Sequence, residues 1–209
     1  SNASVIRGLE DAAAIADILD QNVCPGGPGT CGYHADRALF EGRASDIRGG
    51  LDARLAWNGE NTDISQLGIT YPFEIYPAGS ARPQLILDRI NGFASDTFGN
   101  FQPLVRDGSI PGWQGLVDRY WGDGYWNGGP WFLTTLWFGA YHAIRQDVSP
   151  GTADIGLHKD QIDLLIGDTG PMGFGAEQIA RDSTLKYAGQ SDYRLQTAYP
   201  NALDSPSFL

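Results

Sequence analysis

The segment Arg119 to Trp131 reads RYWGDGYWNGGPW and concentrates the chemistry-bearing residues of this sequence. Pyranose rings present weakly polar C–H faces that stack on aromatic rings, while their hydroxyls need charged or planar hydrogen-bonding partners. Arg119 and Asp123 would supply the polar anchors, and Trp121, Tyr125, Trp126 and Trp131 the platforms. The intervening glycines let the backbone turn sharply and approach a ligand closely. The alternative is an aromatic loop that packs on its own core. A second chemical signal is the scarcity of glutamate, with only Glu10, Glu41, Glu60, Glu74 and Glu177 present. Glu177 taken alone reads as a helix-start carboxylate favoured by the helix dipole. Glu74 lies in the aromatic stretch Tyr71–Tyr76, where packing or capping is expected and a place in the site is the alternative. His142 falls inside an apolar helix and reads as a core residue, while His34 and His158 give no signal.

Net charge and composition bound the partners. A formal charge of −11 repels phosphate, which argues against nucleic acid and anionic membranes but not against neutral sugars. No apolar run reaches the ~20 residues needed to span a bilayer. With 42% hydrophobic and 19% charged residues, the 209-residue chain reads as one globular domain over residues 4–209. Ser1-Asn2-Ala3 reads as an expression-tag remnant. Cys24 and Cys31 flank a Pro/Gly loop that can bring the sulfurs together, which predicts a disulfide and a secreted or periplasmic protein. Two free thiols beside a flexible loop are the alternative. Neither a metal nor a cofactor is expected, since two cysteines near His34 do not form a zinc ligand set.

The elements that must position these residues are helices. Apolar spacing predicts amphipathic helices over 6–21, over 36–48 ending at Gly49-Gly50, and over 82–94 with Leu85, Ile86, Ile90 and Phe93 as core stripe. Residues 64–75 predict a short helix running into an apolar loop. The region 98–129 has no sustained period and predicts a long functional loop. Pro130 is expected in the first turn of a helix that is apolar nearly all round. Further helices are expected over 152–166 and 176–187, before a turn-like tail. The pattern predicts an all-α array with loops gathered at one end.

These residues resemble a known family. Glucoamylases carry a motif R-Y-x-x-D-x-Y-x-x-G-x-P-W-F-L-x-T, matched here by Arg119, Tyr120, Asp123, Tyr125, Gly128, Pro130, Trp131, Phe132, Leu133 and Thr135. The family places its catalytic base in a G-x-x-x-E-Q context, similar to Gly173–Gln178, and Asn61–Gly68 is weakly similar to another family segment. The resemblance implies an (α/α)6 toroid, of which this chain would be the C-terminal part. It implies an inverting exo-glycosidase that releases glucose from α-linked glucans, with no cofactor. Arg119 and Tyr120 would bind sugar, Asp123 would anchor the loop, Trp131 would form an active-site wall and Glu177 would act as general base. Inverting enzymes hold their two carboxyls roughly 6.5–9.5 Å apart to admit a water. The family's general acid sits in a Trp-Glu-Glu type motif, and no Trp-Glu pair occurs here. A truncated catalytic domain with helix faces free to self-associate is therefore expected. A non-catalytic carbohydrate-binding scaffold, or a related α-glucosidase acting on dextran or trehalose, is the alternative.

Overall fold

The computed structural model describes residues 2–54, 61–95, 99–109, 113–125, 128–151, 155–167 and 178–179. Among them the regular structure is helical, with three isolated β-bridges and no strand, so the fold is all-α. No helix among the described residues is long and apolar enough to cross a membrane.

Helices α1 (Asn2–Val23) and α2 (Tyr33–Arg54) pack against each other as a hairpin. Asn2 and Ala3 belong to α1, and Ala3 is buried in the core beside Ile6. The connecting loop closes through a Cys24–Cys31 disulfide with 5.7 Å between Cα atoms. Within it, Gly29 N–H donates to the buried Asp20 carboxylate at 2.8 Å, which ties the loop back to α1. A disulfide closing so short a loop limits the unfolded chain modestly, by about 2 kcal/mol. The Cys24→Ser/Cys31→Ser protein should lose about that much stability in urea unfolding. An unchanged midpoint would show that the loop is ordered by its hydrogen bonds alone.

Helix α2 buries little apolar surface, chiefly Ala44 and Leu51, and is held laterally by charge. Arg37 reaches Asp17 at 2.5 Å, and Arg48 pairs with Glu10 while donating to the Ile75 carbonyl at 2.8 Å. The guanidinium groups of Arg48 and Arg82 both lie over the Tyr76 ring, 5.6 and 5.7 Å from its centroid. Contrary to the sequence expectation, α2 does not stop at Gly49-Gly50 but runs four residues further, to Arg54. Each glycine costs a helix about 1 kcal/mol, which packing of Leu51 and the Arg48 contacts offset.

A 3-10 helix, Ile64–Ile69, starts at Asp63, whose carboxylate accepts from Ser65 N–H at 2.8 Å. It buries Ile64, Leu67 and Ile69, then turns back through Tyr71-Pro72 toward Ile75. Helix α3 (Ala81–Ile90) is shorter than expected and ends with Gly92 N–H on the Arg89 carbonyl and Phe93 N–H on the Asp88 carbonyl. Phe93 lies beyond that cap and is 79% exposed, so it is not part of the core stripe, and Leu87 joins Ile86 and Ile90 instead.

Helix α4 (Phe132–Val148) is capped at Trp131, which leaves Pro130 just outside the helix rather than in its first turn. It is not buried all round: Phe132, Thr135, Phe138, Tyr141 and His142 are buried, while Leu133 is 40% exposed. Helix α5 (Ile155–Gly167) packs on α4 and buries Leu165. Two hydrophobic clusters result. The larger joins α1, α2, the 3-10 helix, α3 and α4 around Ile6, Leu67, Ile86, Phe138 and Tyr141. The smaller joins Trp113, Leu116, Phe132, Leu165 and Ile179.

Candidate functional site

Between α3 and α4 the chain forms a compact loop system rather than a loose excursion. Residues 104–106 and 115–118 run side by side, with Asp118 N–H on the Leu104 carbonyl at 3.0 Å and Arg106 N–H on the Leu116 carbonyl at 2.9 Å. The strip is fastened to α4, because Val117 N–H donates to Thr135 Oγ1 at 3.0 Å and Thr134 Oγ1 donates to the Val117 carbonyl at 2.6 Å. It then pairs with the segment before the 3-10 helix: Ile64 N–H bonds the Arg119 carbonyl and Trp121 N–H the Thr62 carbonyl, both at 2.9 Å. The stretch Asn61–Gly68 thus lies beside the start of the Arg119–Trp131 segment.

From this frame Arg119 projects into a cage of rings. Its guanidinium carbon lies 4.6 Å from the Tyr120 centroid, 5.5 Å from Tyr125 and 4.3 Å from Trp131. Tyr125 and Trp131 stack on each other at 5.5 Å. Asp123 is the hub. Its side chain is 2% exposed and accepts from Arg119 Nη2 at 3.1 Å, Tyr125 N–H at 3.0 Å and Trp131 Nε1 at 3.1 Å. Arg119 Nη2 also donates to the Tyr120 hydroxyl at 3.1 Å. Burial works against the Arg119 charge, yet the Asp123 hydrogen bond and charge hold its pKa above the ordinary arginine value. Trp131 is 6% exposed, whereas Tyr125 and Trp121 remain 41% and 47% exposed.

Arg119, Tyr120, Asp123, Tyr125 and Trp131 therefore converge, and Trp126 lies outside the described residues. Glu177 also lies outside them, but its chain neighbour Gln178 is fully buried against the same loop. Gln178 bridges Trp131, its Nε2 donates to the Gly129 carbonyl at 3.2 Å, and Ile179 N–H donates to the Pro130 carbonyl at 2.9 Å. These two residues are bridged, not helical, which corrects the expected helix over 176–187 at the positions described. The rest of that helix falls outside the described residues. Backbone hydrogen bonding to Pro130, whose own nitrogen carries no hydrogen, and burial of Ile179 favour the extended form here.

Sequence reasoning missed Asp118 and Arg106. Their carboxylate and guanidinium meet twice, at 2.9 and 2.5 Å, and Arg106 lies over the Trp113 ring at 5.5 Å. The separation of Asp118 from Arg106 by twelve residues, with Asp107 directly beside Arg106, left no sequence signal for the pairing. Glu74 does not join the cluster through any described contact and instead pairs with Arg7 of α1 at 3.1 Å. His142 is buried, edge-on to Phe138 and Tyr141. Among the described residues no group of three or more His, Cys, Asp or Glu is placed to hold a metal. Compared with protein-family models, with curated proteins and with solved structures, the chain matches none.

Proposed function

We propose that the Arg119 cage is an α-glucan site of the glucoamylase type, in an (α/α) toroidal glycosidase, with Glu177 as the general base of an inverting hydrolysis. The observation that supports this reading most is the seating of Gln178 on Gly129–Trp131, because Gln178 is peptide-bonded to Glu177. What the bridge joins to the loop that carries Arg119 is thus the residue that directly follows the proposed base in the sequence. Arg119 would donate to sugar hydroxyls, and the exposed part of Tyr125 would carry a pyranose face.

One observation favours binding without turnover for this chain by itself. Asp123 is enclosed and already accepts three hydrogen bonds, so it is not a free acid, and the sequence has no Trp-Glu pair of the family's acid motif. Calorimetric titration with maltoheptaose should therefore show binding, weakened roughly tenfold in Tyr125→Ala by loss of one stacking partner. Glucose release by the same protein should stay near background. Absence of maltoheptaose binding at millimolar concentration would remove the α-glucan reading. Robust glucose release lost in Glu177→Gln would instead mean that another carboxyl of this chain serves as acid.

A further inference from the structure

The pair beneath the cage has a role that none of the sugar-facing residues covers. Asp118 is covalently next to Arg119, and its side chain is only 12% exposed. Its carboxylate holds Arg106 in two contacts, and Arg106 lies over Trp113. Trp113 is buried in the small cluster with Ile179, and its ring edge lies 3.4 Å from where a Cβ on Gly129 would be. One chain of contacts thus runs from the residue before Arg119 to the seat of Gln178.

We infer that Asp118 is a positioning residue: through Arg106 and Trp113 it sets the Arg119 cage and the Gln178 seat relative to each other. A fork-to-carboxylate contact fixes direction as well as distance, which a lone hydrophobic contact does not. The charged groups acting on Asp118 are Arg106, which favours its ionised form, and Asp123, which disfavours it. Helix α4 holds the adjacent Val117 through the hydroxyls of Thr134 and Thr135. Burial dominates and pushes the Asp118 carboxyl up to about 6. The ion pair therefore forms above that value and becomes a weaker contact between charged Arg106 and a neutral carboxyl below it. Protonation is not unfolding. A carboxyl whose folded value is raised costs the fold most when ionised, so this group adds no instability as pH falls through 6.

The test uses the whole chain and two readouts. Tryptophan emission, followed from about pH 7.5 to about pH 5, should show a step near 6 from the release of Arg106 off Trp113. The step should vanish in Asp118→Asn and in Trp113→Phe, and persist in Asp118→Glu. The three histidines are unchanged in these variants and so cannot account for its loss. The ligand arm rests on the α-glucan reading: the maltoheptaose Kd should rise about fivefold across the step, and Asp118→Asn should show the weaker value at both ends. A step that survives Asp118→Asn, or a Kd that ignores it, would overturn the inference. A step that behaves as expected in a protein that binds no maltoheptaose would support the positioning role and reject the α-glucan reading.

Discussion

Asp123→Ala is expected to destabilise the chain by about 3 kcal/mol and, on the proposed α-glucan function, to abolish detectable maltoheptaose binding, the first measured by urea unfolding and the second by calorimetry. The carboxylate neutralises a partly buried guanidinium and is the acceptor for both Tyr125 N–H and Trp131 Nε1. Its removal strands three donors at once. The full penalty for a buried charge does not apply, because the Arg119 side chain is 35% exposed and gains water. Asp123→Asn should fall between, since an amide still accepts from one side but presents a donor on the other. A loss under about 1 kcal/mol in the alanine variant would mean that the rings alone hold Arg119.

Gly129→Ala should produce the other large effect, and a more selective one. A Cβ at Gly129 would overlap the carbonyl oxygen of Ile179, a backbone atom that cannot rotate away. Either the loop or the 178–179 segment must move, and the segment is held by two hydrogen bonds and the burial of one isoleucine. Overpacking of this kind costs about 1–3 kcal/mol, comparable with burying that side chain. The Ile179 amide should lose most of its protection from hydrogen exchange while those of Val117 and Thr135 keep theirs. Retained protection at Ile179 would show that the loop yields instead. On the proposed mechanism the variant would keep sugar affinity and lose any contribution from Glu177.

Much of this could be read from the residue order, for reasons that differ by element. Helix α1 follows from apolar spacing, because burial of one face is what forms it, and α4 from an apolar run after Pro130. The ends were less legible. Helix α2 passes through Gly49-Gly50 because ion pairs with α1 and the contacts of Arg48 act from outside its own sequence, where propensity has no access. Phe93 fits the helical period of α3 yet lies past a capping pair of hydrogen bonds, so periodicity extended a stripe that the backbone had already ended. In the site, Arg119, Asp123 and the rings were legible as a composition. That Asp123 would serve three donors was not, since it depends on how the loop folds back on α4. The Asp118–Arg106 pair spans twelve residues through a strip with no strand signature, and only the folded path brings it together.

Helix α4 contributes Phe132 to the smaller hydrophobic cluster and Phe138 and Tyr141 to the larger one. Less than two turns separate the two contributions along one continuous rod. The clusters therefore form a single cooperative unit, because neither can melt without fraying the helix that the other holds. The Arg119 cage hangs from the N-terminal end of that rod, through Trp131 and the Thr134 and Thr135 hydroxyls. Such an anchorage makes the loop thermodynamically unlike an ordinary surface excursion: its geometry is enforced by the global folding free energy rather than by its own few contacts. Substitutions deep in the larger cluster, far from Arg119, would consequently loosen the cage only as far as they lower the stability of the whole fold.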